Sequence, residues 1–411
     1  MSPIHFTLDG QAVTAEAGES LLDVAQRCGT ELPHLCHADG LGSPGNCRAC
    51  VVEVQGERVL APSCCRTPAE GMVVQTASDR ATRARRTVLE LLLADAPATT
   101  ALRHDSELAT WATRTQARPD RFPARAPVGQ DASHPAMVVN RDACIQCTRC
   151  IRACRDVQGN DVLGLAFRGG HAQIVFDQAD PMGESTCVAC GECVQACPTG
   201  ALMPARIVDE HGRGDSACAD RKVDSVCPYC GVGCQLTYHV KHDKIVFVEG
   251  RNGPSNENRL CVKGRFGFDY PDHPSRLTVP LIRREGVPKG LDPGFDPAKP
   301  LTHFRVASWD EALDFAAAGL RRLRDTHGPN ALAGFGSAKC SNEEAWLFQK
   351  LVRTGFHSNH VDHCTRLCHA SSVAALIECI GSGAVTASFM QAQQADVVIL
   401  TGCNPTVNHP V

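Results

Sequence analysis

The 24 cysteines of this chain concentrate in four spaced groups, and thiolates are the ligands that hold iron–sulfur clusters. The first group is Cys36-x10-Cys47-x2-Cys50-x13-Cys64. Three clustered thiols with a fourth further on suit a [2Fe–2S] centre, and Gly40, Gly42 and Gly45 let the backbone bend closely around it. Cys64 is the preferred fourth ligand, with the adjacent Cys65 as its substitute. The second and third groups are Cys144-x2-Cys147-x2-Cys150-x3-Cys154 and Cys187-x2-Cys190-x2-Cys193-x3-Cys197-Pro198. In paired runs of this spacing the first three cysteines wrap one [4Fe–4S] cubane and the fourth crosses to the other. Cys144, Cys147, Cys150 and Cys197 are therefore expected on one cubane, and Cys187, Cys190, Cys193 and Cys154 on its neighbour. The fourth group, Cys227-x2-Cys230-x3-Cys234-x26-Cys261, suits a third cubane. A structural zinc site is the alternative for each group. Several redox centres in one chain make sense as a wire, along which electrons enter at one end and leave at the other.

Loops of this kind need regular elements to hold them. Residues 1–78 read as a small β-rich domain. Ile4, Phe6 and Leu8 alternate with polar residues, Asp9-Gly10 makes a hairpin turn, and Val13 begins the return strand. Glu19–Cys28 carries Leu21, Leu22 and Ala25 at helical spacing, capped by Gly29. Val51–Val54 and Arg58–Leu60 suggest a second hairpin. Ala81–Ala94 is helical with Val88, Leu91 and Leu92 on one face, and Asp95–Pro135 reads as a poorly packed connector. Residues 79–135 thus join the first domain to the repeated cysteine domain at 136–212, and the fourth group forms a module at 221–273. From 274 to 411 helices and strands alternate, which indicates an α/β domain. There Trp309–Asp325 is a helix, Asn330–Phe335 a strand and Asp396–Leu400 a buried strand. Ser341-Asn-Glu-Glu344 is a capping box that opens another helix.

Composition narrows the function. The net charge of −4 over 411 residues supplies no basic field for nucleic acid. The longest apolar runs, Val88–Ala94 and Val397–Leu400, are far short of a membrane span. The N-terminus shows no basic segment followed by an apolar one, so a cytoplasmic location is expected, where thiols stay reduced.

The Cys227-Pro-Tyr-Cys-Gly-Val-Gly-Cys234 run and the later Cys261-Val-Lys-Gly264 resemble the cluster domain of molybdopterin oxidoreductases. The segment Asn359–Ala375 (NHVDHCTRLCHASSVAA) closely resembles the metal-ligand segment of formate dehydrogenases. Pro280–Arg283, Ala307–Ala312 and Gly334–Lys339 fit the same family. The whole chain resembles the N-terminal part of the large subunit of an NAD-dependent molybdenum or tungsten formate dehydrogenase. The resemblance implies an α+β multidomain fold: a β-grasp [2Fe–2S] ferredoxin domain, a two-cubane ferredoxin domain, a [4Fe–4S] module and the start of an α/β molybdopterin-binding domain. It implies one [2Fe–2S] cluster, three [4Fe–4S] clusters and molybdopterin guanine dinucleotide carrying Mo or W. Cys368 matches the metal-ligand position, and a soft thiolate suits a sulfur-rich metal site. His369 matches the neighbouring catalytic histidine, able to hydrogen-bond or handle a proton. Lys263 matches the lysine between the nearest cubane and the pterin. Gly402 and Asn404, after the Asp396–Leu400 run, match pterin contacts at a strand's carboxyl end. The implied reaction is formate oxidation to CO2, with electrons leaving to a partner subunit that binds flavin and NAD.

Two departures qualify the resemblance. Family members usually carry a further cubane held by one His and three Cys after the helix matching Arg86–Leu93. Here Ala96 replaces the ligand histidine, Thr100 and Arg103 stand near the expected thiols, and Asp95–Ala117 contains no Cys and only His104. The family's remaining domains would also lie beyond Val411. The rival readings are the cluster-bearing large subunit of an NADH–quinone oxidoreductase, and a non-catalytic iron–sulfur electron carrier.

Overall fold

A computed structural model of the chain describes residues 3–97, 103, 105–209, 214, 219–290 and 294–411. Thr100, His104 and the expected domain end at residue 212 lie outside them. The chain forms two units, the first spanning residues 1–227 and 234–268, the second 228–233 and 269–410.

The first unit opens with a five-stranded sheet in the order β2-β1-β5-β3-β4. Its strands are β1 (Ile4–Leu8), β2 (Gln11–Ala15), β3 (Val51–Val54), β4 (Ala61–Pro62) and β5 (Val73–Gln75). β1 runs antiparallel to β2 and parallel to β5. Asp9 and Gly10 both take positive φ (49° and 83°), as a two-residue hairpin turn of this hand requires. Phe6 and Leu8 point inward against α1 (Leu21–Arg27), whose Leu21, Leu22, Val24 and Ala25 are buried. Ser20 and Asp23 close a reciprocal capping box on α1. The second hairpin differs from expectation. β3 pairs with Ala61–Pro62 and with β5, and Arg58–Leu60 stays outside the ladder.

Two helices follow, α2 (Asp79–Asp95) and α3 (Glu107–Thr115). The inward face of α2 carries Ala81, Arg85, Leu89 and Leu93, whereas Leu91 is exposed. Of the expected stripe, Val88 and Leu92 pack partly buried against the core and Leu91 does not. The Asp95–Pro135 stretch is not a poorly packed connector throughout. Ser106 caps α3, and Leu108 and Ala112 enter the same buried cluster as Leu89, Leu93 and the cubane-loop cysteines. The Glu107 amide donates to the Pro198 carbonyl (2.7 Å), anchoring α3 on the end of the second cysteine run.

The repeated cysteine domain contains β6 (Gln130–Asp131), β7 (Met137–Asn140), α4 (Arg149–Arg152), the hairpin β8 (Leu163–Ala166) and β9 (Gln173–Phe176), α5 (Glu192–Ala196) and β10 (Leu202–Pro204). β7 is flanked by β6 and β10. The first unit ends in an antiparallel sheet of β11 (Arg221–Val226), β12 (Gln235–Lys241) and β13 (Lys244–Gly250), followed by α6 (Val262–Phe266).

The second unit holds an antiparallel pair, β14 (Leu281–Arg283) and β15 (Phe304–Val306), then α7 (Trp309–His327). Next come β16 (Gly334–Gly336), α8 (Asn342–Lys350) and β17 (Val361–His363), a parallel βαβ unit. The expected capping box is present, with Ser341 N–H donating to Glu344 Oε2 at 2.7 Å. After β17 come α9 (Thr365–Cys368), α10 (Ala370–Ile380), α11 (Phe389–Gln394) and α12 (Pro405–Asn408). No residue of α7, α8 or α10 is buried. The expected buried strand at Asp396–Leu400 does not form. Val397–Leu400 is exposed and has no ladder partner among the described residues. Among those residues no helix is long and apolar enough to cross a membrane.

Candidate metal centres

Cys36, Cys47, Cys50 and Cys64 meet in the first domain on loops flanking β3. The Cys36 thiol is hydrogen-bonded by Cys47 and Cys64, which pull its pKa down. Cys64 also holds the Cys50 thiol down, to about 6. The Cys65 Sγ lies 3.6 Å from that of Cys64 and donates to the Ser43 carbonyl at 3.2 Å, and Cys65 is exposed whereas Cys64 is buried. Burial and the contacts to Cys36 and Cys50 favour Cys64 as the proposed fourth ligand. A Cβ at Gly45 would lie 2.7 Å from Cys65 Sγ, and Gly45 has a φ of +64°, so the loop requires glycine there.

The two repeated runs adopt the same backbone. Gln146 and Thr148 have positive φ (54° and 61°), and so do Ala189 and Gly191 (55° and 74°), at matching steps along each run. These reversals aim peptide N–H groups at sulfur. The Gln146 and Arg149 amides bond Cys144 and Cys147, and the Ala189 and Glu192 amides bond Cys187 and Cys190. One enclosed cavity is lined by Cys144, Cys147, Cys150 and Cys197. Another is lined by Cys154, Cys187, Cys190 and Cys193. Each therefore takes three cysteines from one run and the last from the other. Burial pushes the thiols up, Cys144 and Cys190 to about 11, Cys147 to about 12, and Cys150 and Cys193 well above their ordinary range. Thiolates in these cavities need a cationic metal core to offset their burial.

The surroundings fit clusters. Arg125, Arg149 and Arg152 each bury an Nε–H with no partner. Arg125 acts electrostatically on Cys144, Arg149 on Cys147, and Arg152 on both Cys147 and Cys36. Arg103 donates to the Cys197 carbonyl at 3.3 Å. A thiolate-ligated cubane is an anion, and buried anions require such cations. These arginines are not singled out by the sequence analysis, although Arg149 directly precedes Cys150 and Arg152 stands two residues after it.

In the fourth group, Cys227 N–H donates to the Cys234 carbonyl at 2.8 Å, and Cys261 immediately precedes α6. A Cβ at Gly264 would come within 3.4 Å of Cys227 Sγ. Lys263, one residue earlier, is exposed. Arg265 of α6 donates to the Cys190 carbonyl at 3.1 Å and pairs with Glu192, both buried. The loop carrying Cys230 belongs to the second unit.

Within the second unit, Phe335, Gly336, Ser337, Cys340, Asp362 and His363 line a cavity at the carboxyl ends of β16 and β17. Ligands of α/β sheets bind at such ends. Cys368 and His369 follow β17 on α9 and at the start of α10, and both are exposed. Neither they nor Gly402 and Asn404 line that cavity. Gly402 has φ +62°, and Asn404 Oδ1 accepts from Thr406 Oγ1 at 2.6 Å.

Comparison with known proteins matches four successive segments. Residues 1–79 match a 2Fe-2S iron-sulfur cluster binding domain, and residues 135–203 the ferredoxin-like domain of NADH-quinone oxidoreductase subunit 3. Residues 220–273 match the molybdopterin oxidoreductase Fe4S4 domain, and residues 276–411 the molybdopterin oxidoreductase family itself. The chain thus carries, in succession, 2Fe-2S, ferredoxin-like, Fe4S4 and molybdopterin oxidoreductase domains. It is 31% identical, over 98% of its length and 43% of the relative's, to the Bacillus subtilis (strain 168) protein named "Probable oxidoreductase YjgC". It is 28% identical, over 98% of its length and 43% of the relative's, to "Putative formate dehydrogenase SH0748" of Staphylococcus haemolyticus (strain JCSC1435). The chain thus spans less than half the length of these relatives. Among solved structures it is similar to an NAD+-reducing [NiFe]-hydrogenase in the H2-reduced state, with a TM-score of 0.46 and 30% identity over 49% of this chain and 87% of that one.

Proposed function

We propose that this chain is the electron-wire and metal-ligand portion of a formate dehydrogenase, oxidising formate to CO2. The carrying observation is the pair of cavities ringed by crossed cysteine sets, joined in one chain to the Cys368-His369 segment after β17. In this reading Cys36, Cys47, Cys50 and Cys64 hold a [2Fe–2S] centre. Cys144, Cys147, Cys150 and Cys197 hold one cubane, and Cys154, Cys187, Cys190 and Cys193 the next. Cys227, Cys230, Cys234 and Cys261 hold a third. Cys368 ligates molybdenum or tungsten, His369 stands ready for the proton, and Lys263 lies between the last cubane and the pterin. Gly402 and Asn404 contact a pterin guanine dinucleotide. When bound, the metal–pterin group supplies the two-electron redox chemistry that turns formate into CO2 and a proton. This chain's residues hold the clusters, line the path with cations and exclude water from the buried thiols. Electrons then pass to a flavin- and NAD-binding partner in the cytoplasm, where thiols stay reduced.

The match of residues 135–203 to an NADH-quinone oxidoreductase domain favours a second reading, a cluster-bearing subunit without formate chemistry. Metal analysis of the protein purified anaerobically from its source separates the two. Molybdenum or tungsten, with formate bleaching the cluster absorbance, supports formate dehydrogenase. Iron and sulfide alone, with no response to formate, reject it.

A further inference from the structure

Arg152 lies in α4, two residues after Cys150, and is 6% exposed. Its guanidinium leaves its own domain. Nη1 donates to the Gly42 carbonyl and Nη2 to the Cys36 carbonyl, more than a hundred residues away, while Nη2 also reaches the Cys147 carbonyl at 3.4 Å. One side chain therefore ties the loop of the first cysteine group to the loop of the second. Asn46 adds a second stitch between the same loops, its Nδ2 donating to the Gln146 carbonyl at 3.3 Å.

The charge balance at this junction is unusual. Arg149 has Glu107 and Arg265 has Glu192. Among the described residues no carboxylate bonds Arg152 directly; Asp156, held by Arg155, acts on it only at longer range, and the Arg152 Nε–H is buried without a partner. A buried cation that touches only carbonyls is costly unless an anion lies close by. Both sites it faces become anionic when loaded with iron–sulfur clusters.

We propose that Arg152 is the positioning residue of a direct electron junction between the [2Fe–2S] centre and the Cys144–Cys147–Cys150–Cys197 cubane, serving as their shared counter-cation. The inference rests on the cluster assignment proposed above. At this junction one electron leaves the cubane, which is oxidised, and enters the two-iron centre, which is reduced. No bond is made or broken. A positive charge near both centres favours their reduced forms and raises both potentials. A planar fork spanning carbonyls of two loops is a geometry that lysine cannot reproduce.

The test uses the full chain, purified anaerobically, with dithionite as the low-potential reductant. Midpoint potentials are read by paramagnetic resonance during redox titration, alongside iron and sulfide content, for wild type, Arg152→Gln and Arg152→Lys. Arg152→Gln is expected to lower the potentials of the two-iron centre and one cubane, leaving the other cubanes in place. Arg152→Lys keeps the charge and is expected to restore the potentials in part, with weakened magnetic coupling between the two centres. Unmoved potentials at full iron content, or an equal shift in every cluster, would overturn the proposal. Should both variants lose iron, the wild type decides. Reduction of the cubane must speed the spin relaxation of the two-iron centre, and unchanged relaxation overturns the junction. Absence of any two-iron signal in wild type would instead reject the cluster assignment on which it rests.

Discussion

Arg149 grips Glu107 through both guanidinium nitrogens, at 2.6 and 2.8 Å. The arginine is buried beside the first cubane cavity, and the glutamate opens α3 at the rim. α3 is thus fastened to the cysteine run by a two-pronged ion pair.

Removing Glu107 leaves a buried cation whose remaining counter-charge is the cluster itself. Glu107→Ala is expected to destabilise the cluster-free chain by roughly 2 kcal/mol and the loaded chain by less. Thermal melts before and after chelation of iron check this, and an equal loss in both forms would contradict it.

The crossed cavities predict crossed losses. Cys197→Ala is expected to remove the cubane of the Cys144 run, and Cys154→Ala the cubane of the Cys187 run. Paramagnetic resonance of each variant distinguishes the two signals. Loss of the same cluster in both would show that the runs are not interlocked.

Cys64 and Cys65 are neighbours with opposite expected outcomes. Cys64→Ser abolishes the two-iron signal, because its thiol meets Cys36 and Cys50. Cys65→Ser leaves that signal, since its thiol bonds the Ser43 carbonyl. Iron content should stand near 14 per chain in wild type, given one two-iron and three four-iron centres. A value near 18 would reveal ligands for a further cubane.

Cys368→Ala should end formate-dependent reduction while the iron–sulfur spectra persist. Cys364, which is also exposed, should tolerate alanine within about 0.5 kcal/mol and keep activity. Equal activity loss in both variants would refute Cys368 as the metal ligand.

An acid-sensitive pair lies on the β12–β13 sheet. Burial raises the Glu249 carboxyl, but the 2.8 Å hydrogen bond with His239 Nε2, together with the charges of His239, Arg103 and Lys222, holds the pKa below its ordinary 4.5. His239 itself stacks on Phe247 with ring centroids 3.8 Å apart. A depressed carboxyl pKa stabilises the fold above the unfolded value, and that contribution disappears as pH falls through the folded value. Wild type should therefore lose melting temperature below pH 4.5 more steeply than Glu249→Gln. Parallel melting profiles would rule this pair out.

The cysteine loops were legible in sequence because their spacing is a local rule. The same intervals that name the ligands also set the backbone reversals at Gln146, Thr148, Ala189 and Gly191. Tertiary balance was not legible. Nothing local marks Arg152 as a bridge, since its partners are carbonyls more than a hundred residues away. α3 was missed because its Ala- and Thr-rich sequence offers only a narrow stripe, Leu108 and Ala112, and its position depends on the Pro198 carbonyl. Val397–Leu400 reads as a strand by composition, yet a strand exists only where a neighbour completes its ladder.

The exchange of cysteines between the two runs also constrains how this protein is made. Cys197 closes the cavity begun by Cys144, so that pocket has no fourth wall until the ribosome has passed the end of the second run. With the proposed cubanes in these cavities, cluster insertion would wait on synthesis of the complete domain, and the two runs would be laced together, so that neither could unravel without dismantling the other's centre.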